Sequence, residues 1–178
     1  MTSKPDRALV LEFSSALHAL KPDEEAFTLW LNTMAGGDYA FGYGLLRTYE
    51  DEYDPFGVLV ALNGGDWRWD AQDESWAYAD SATTLNPLTL AKWLGMERDW
   101  DWLNIFLDAL TRLSDQNASF PPIVAVLREA LDTARISRDR FNDGVHLAHT
   151  SRMSGPNSGM IDERRTYRDY VRNPFYAR

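Results

Sequence analysis

Apolar residues recur at helical spacing in six stretches of this chain. In residues 7–20, Leu9, Phe13, Ala16, Leu17 and Leu20 share one face. Pro22, Asp23, Glu24 and Glu25 then open a second helix, since proline is tolerated in a first turn and acids there complement the helix dipole. Its stripe is Phe27, Trp30, Leu31 and Met34, and Gly36 and Gly37 stop it. Asp54 and Pro55 are a cap and first-turn pair for a short apolar helix over 55–62. Asn86 and Pro87 start a fourth helix, with Leu90, Ala91, Trp93 and Leu94 buried and Gly95 at its end. Residues 99–113 give the clearest stripe: Leu103, Phe106, Leu107, Leu110 and Leu113. Ser119 caps a last core helix over 121–135, carrying Ile123, Val124, Leu127 and Leu131.

Two stretches break this rhythm. Residues 39–49 place Gly42 and Gly44 between aromatics and predict a loop and short strand with close backbone approach. Around residues 66–80, Trp67, Trp69, Trp76 and Tyr78 alternate with polar positions, which predicts a β-hairpin. After Ile136 the apolar pattern dissolves, and 150–162 read as an extended linker. The expected fold is mainly α, about six helices, with a minor β-hairpin and an extended C-terminal arm. The expected division is an acidic globular domain over 1–135 and a basic arm over 136–178.

Charge sharpens that division. The net charge of −9 hides 22 acids against 9 basic residues over 1–134, a net −13. Residues 135–178 hold 9 arginines against 5 acids, a net +4. A body this acidic repels nucleic-acid phosphates. An all-arginine arm suits carboxylates and aromatic faces, because guanidinium is planar and always charged. Hydrophobic residues make up 44% of the chain, enough for a core. There is no cysteine, so thiolate metal sites and thiol nucleophiles are excluded. The longest apolar run, 58–62, is too short to span a bilayer, and no membrane or cofactor is expected.

Candidate chemistry is sparse. Asp143, His146 and His149 have the spacing of a helical two-His, one-carboxylate metal site, but the segment lacks a second carboxylate motif and an ordinary polar helix end accounts for it. His18 borders the first apolar stripe and reads as a boundary histidine. The carboxylate groups Glu24–Glu25, Glu50–Asp51–Glu52–Asp54 and Asp73–Glu74 read as solvated faces. Gly42 and Gly44 lack the third glycine of a dinucleotide loop. Trp100 and Trp102, alternating with Asp99 and Asp101, fit either a recognition surface or packing at a helix base.

Over residues 30–127 a series of boxes stands in order: Trp30; Ala35-Gly36-Gly37-Asp38-Tyr39; Gly42-Tyr43-Gly44; Tyr53-Asp54-Pro55-Phe56-Gly57-Val58-Leu59-Val60; Leu85-Asn86-Pro87; Trp93-Leu94-Gly95-Met96; Leu113-Ser114-Asp115; Ser119-Phe120. The series resembles a group of small uncharacterised bacteriophage and prophage proteins. Asp54 and Val60 stand here where that group has cysteines. The resemblance implies phage origin and no more; the lack of an apolar signal core in residues 1–7 sets the expectation of the host cytoplasm, with the virion as the alternative place. The resemblance implies no activity, and its shared residues make sense as determinants of fold, with Trp30 and Trp93 as core anchors and Gly57 permitting close helix packing.

The leading expectation is a non-enzymatic structural or accessory protein that docks on a protein partner or neighbouring subunit in an assembly. Arg164, Arg165, Arg168 and Arg172 would pair with carboxylates while Tyr167, Tyr170, Phe175 and Tyr176 fill pockets. Two alternatives stay open: an acidic inhibitor of a host defence or nucleic-acid-binding protein, and a metal-dependent enzyme using Asp143, His146 and His149.

Overall fold

The computed structural model describes residues 6–72 and 74–152, and for 140–152 the description is of the backbone. Six helices and five short strands form among the described residues. The chain divides into two units, residues 1–139 and 140–178.

In the first unit five helices start where a polar cap stands. α1 (Arg7–Leu20) is capped by Asp6, whose carboxylate accepts from Ala8 N–H at 2.9 Å. α2 (Glu24–Ala35) is capped by Asp23, which accepts from Ala26 N–H at 2.9 Å. α3 (Pro55–Leu62) is capped by Asp54, α4 (Pro87–Trp93) by Asn86 and α5 (Trp100–Asp115) by Asp99. Each of these side chains satisfies N–H groups that have no partner within the helix. α6 (Phe120–Arg152) closes the series.

The predicted stripes are the core. Phe13 of α1 meets Phe106 of α5 edge to face, with ring centroids 5.5 Å apart, and Phe106 in turn meets Phe27 of α2 at 6.3 Å. Trp30, fully buried, donates its indole N–H to the Pro55 carbonyl at 2.9 Å. That bond ties α2 to the start of α3 and removes the cost of burying a polar indole. Trp93 is only half-buried, where the stripe of α4 predicts full burial, because it lies against Tyr78 at the margin of the core.

The sheet is larger than the predicted hairpin. β1 (Ala40–Phe41), β2 (Arg47–Thr48), β3 (Glu52–Tyr53), β4 (Arg68–Asp70) and β5 (Ser75–Ala77) pair in the order β1-β3-β2-β5-β4. β4 and β5 form the antiparallel hairpin, but it is the edge of a mixed sheet in which β1 runs parallel to β3. Strands of two residues carry too short an alternation to register as a pattern.

Glycine makes this sheet possible. Gly42 N–H donates to the Tyr53 carbonyl at 2.8 Å, and a Cβ at Gly42 would stand 2.9 Å from the Glu52 carbonyl carbon. A Cβ at Gly57 would overlap the Leu46 carbonyl oxygen. Gly57 therefore permits a close approach, but to the backbone that leads into β2 rather than to another helix.

α6 departs most from expectation. Its buried positions run from Phe120 to Ala134, as the apolar stripe predicts, yet the helix continues to Arg152. Charge replaces apolar burial in the next turn. Arg135 and Arg138 lie 3.5 and 3.9 Å from the Glu24 carboxylate in α2. Between Pro122 and Arg152 only Gly144 weakens the helix, at about 1 kcal/mol, and no proline intervenes. Residues 150–152, read from sequence as linker, are helical, and the remainder of that stretch lies outside the described residues.

Candidate functional site

The register of the sheet lines up one row of side chains. Phe41 stands opposite Tyr53, Tyr53 opposite Arg47, Arg47 opposite Trp76, and Trp76 opposite Trp69. Directly opposed residues share a face, so four rings and one arginine form a strip across all five strands. The Arg47 guanidinium carbon lies 4.8 Å from the Trp76 ring centroid and 5.5 Å from those of Tyr53 and Trp67. Its Nε and Nη2 both donate to one Asp51 carboxylate oxygen, at 2.9 and 2.7 Å. The charge is thus held by three π faces and one carboxylate, a setting that a planar guanidinium fills better than an ammonium. Burial holds the Tyr53 hydroxyl above its ordinary pKa, with the Arg47 charge opposing.

The strip changes character along its length. Tyr53 and Trp67 pack against the helical core, and Tyr39, Tyr53, Trp67, Tyr78 and Trp93 form a chain of ring contacts with centroids 5.0–6.5 Å apart. At the other end Trp69 meets Trp76 edge to face at 5.5 Å and remains 49% exposed on the edge strand β4. Nearby, Tyr49 is exposed and donates its hydroxyl to Glu50 at 2.8 Å. That bond and the Glu50 charge raise the Tyr49 pKa, and Glu52 and Glu74 add to the rise.

Asp54 has a different chemistry. It is buried beneath α3, and its carboxylate accepts from the Gly57 N–H at 2.6 Å. Burial pushes its pKa up to about 7, against the backbone N–H groups of Gly57 and Phe56, which favour the carboxylate. Both its position and its partners commit it to capping.

The residues singled out from sequence separate into three groups. Asp99 caps α5, Trp102 packs partly on the core, as the reading of packing at a helix base expects, and Trp100 is exposed. His18 is exposed in the last turn of α1. Asp143, His146 and His149 fall on α6, where the description is of the backbone alone. Arg164, Arg165, Tyr167, Arg168, Tyr170, Arg172, Phe175 and Tyr176 lie outside the described residues, as does Asp73. Arg47 was not legible as a site residue. A lone arginine between aromatic segments was its signal, but only the strand register reveals which rings it meets.

Together these features define a mainly α domain with a small mixed sheet that carries an aromatic strip. No protein family, characterised protein or solved structure matches the chain in comparisons of sequence and fold. No helix among the described residues is long and apolar enough to cross a membrane.

Proposed function

We propose that this chain is a non-enzymatic docking protein of the phage structural or accessory kind. The body is a folded acidic platform, and the arginine- and tyrosine-rich C-terminal segment attaches it to a protein assembly. The observation that carries the reading is the opposition of a net −13 over 1–134 to a net +4 over 135–178, with aromatics interleaved among the arginines. A solubilising tail needs no aromatics, whereas arginine and tyrosine together supply the energetically dominant contacts of protein interfaces. Arg47 supports the reading from within the fold, since it displays the guanidinium–aromatic–carboxylate chemistry that such a segment would use on a partner. Exposed Ile136, past the last buried position of α6, adds apolar surface at the start of the basic region.

The test is the copy number of the chain in purified phage particles, counted by quantitative mass spectrometry. A fixed number of copies per particle is expected. Particles without the chain, together with salt-sensitive binding of the body to a basic host protein, would favour the inhibitor reading instead.

A further inference from the structure

The end of α3 carries chemistry that the docking reading does not use. Asn63 is followed by Gly64, the one asparagine–glycine pair in the chain. Both residues are exposed, so water reaches them. A backbone nitrogen can attack the side-chain carbonyl carbon of an asparagine that precedes it. Glycine hinders that attack least, because it has no Cβ to crowd the approach and leaves the backbone free to turn. We propose that Asn63 is a site of spontaneous deamidation, and that the cap of α3 is the gate that holds it closed.

The gate is built from hydrogen bonds that occupy the reacting groups. α3 ends in a Schellman cap, with Gly64 in the left-handed region at φ 68°. Gly65 N–H donates to the Val60 carbonyl at 3.0 Å, and Gly64 N–H donates to the Ala61 carbonyl at 3.1 Å. The attacking nitrogen is therefore the donor of a cap hydrogen bond. The carboxamide is held as well: Asn63 Nδ2 donates to the Leu59 carbonyl at 2.9 Å, one turn back along the helix and away from Gly64. Backbone rotation adds a third constraint. Ring closure needs the Gly64 nitrogen nearly eclipsed with the Asn63 Cβ about the Cα–C bond, and a ψ of 15° holds the two well apart. The reaction thus waits for the last turn of α3 to open, a local unfolding of the kind that helix ends undergo.

Once the turn is open, the Gly64 nitrogen bonds to the Asn63 Cγ and gives up its proton, and the carboxamide nitrogen leaves as ammonia. The resulting succinimide takes up water, which breaks either of its carbonyl–nitrogen bonds. One cleavage leaves aspartate with the ordinary main chain. The other leaves isoaspartate, which adds a methylene to the main chain. Neither product closes the cap as before. Both lose the Nδ2 donor to Leu59, and both set a carboxylate at the negative end of the α3 dipole. Leu59 and Val60, the residues whose carbonyls the cap satisfies, are buried in the core. The change is irreversible, so it keeps a loosened cap where an opening would otherwise reclose.

The test incubates the full chain in mildly alkaline buffer, folded and in concentrated urea, and follows amide loss at Asn63 by peptide mapping and mass spectrometry. In urea Asn63 should convert to both products. In the folded chain conversion should be slower by about tenfold or more, the factor carried by two hydrogen bonds that must break first. Equal rates would overturn the gate, and no conversion in urea would overturn the site. Gly65→Ala leaves the Asn63–Gly64 pair intact but opens the cap, since its Cβ would overlap the Val60 Cγ1. The folded variant should convert faster than the folded parent, and a rate equal to the parent's would show that the cap is not the restraint. Should that variant fail to fold, a urea series on the parent decides. Conversion that accelerates below the global unfolding transition supports opening of the cap alone, whereas conversion that tracks the transition of the whole core overturns it.

Discussion

Asp54 and Arg47 show how single charges are accommodated in a body with little room for them. Asp54 is buried, and its native pKa is raised to about 7. The folded state therefore holds a proton that the unfolded chain has released above the ordinary carboxylate range. Stability from this group is full below that range and is lost as pH rises toward about 7. Asp54→Asn keeps a capping side chain but cannot ionise. Chemical denaturation between pH 4 and 8 should show a flatter stability profile for the variant than for the parent, and parallel profiles would contradict the protonation argument. Arg47→Lys keeps the charge but loses the planar fork and ring stacking. A loss of about 1 kcal/mol is expected, with altered tryptophan fluorescence from Trp67 and Trp76. Unchanged stability and emission would mean the rings do not hold the cation.

Among the elements, the helices and the β4–β5 hairpin were legible and the rest of the mixed sheet was not, for reasons visible in particular residues. The stripe Phe27, Trp30, Leu31 and Met34 spans two turns and is buried as a unit, so periodicity alone locates α2. β2 is Arg47 and Thr48 only, and its place between β3 and β5 depends on Gly42 and Gly57 admitting neighbouring backbone. α6 outruns its apolar stripe, and in the turn after Ala134 Glu24 pairs with Arg135 and Arg138, long-range pairs that leave no periodic trace. Gly57→Ala tests the close approach. Its methyl group would overlap the Leu46 carbonyl, so α3 must shift from Leu46, at an expected cost of about 3 kcal/mol or more by denaturant titration. A cost below about 1 kcal/mol, the scale of a propensity change, would show that α3 and the Leu46 backbone are not in contact.

At the scale of the whole molecule the candidate site was half legible. Sequence alone gave the charge opposition and the aromatic arginine segment. It could not give the aromatic strip, because the residues at its centre, Arg47 and Trp76, are neighbours only through strand pairing. The opposition of −13 and +4 also sets the expected salt response, since exposed charges attract over about 10 Å at 0.1 M salt and much less at 1 M. Docking through the segment should weaken steeply with salt, while the thermal unfolding of the apolar core should change little.

The most direct measurement compares particle incorporation of the full chain with a chain ending at Arg152. Both should unfold cooperatively at closely similar temperatures, because the buried core runs from Leu9 to Ala134. Only the full chain should be found in purified particles at a fixed copy number. Equal incorporation of a folded, truncated chain would contradict docking through the C-terminal segment.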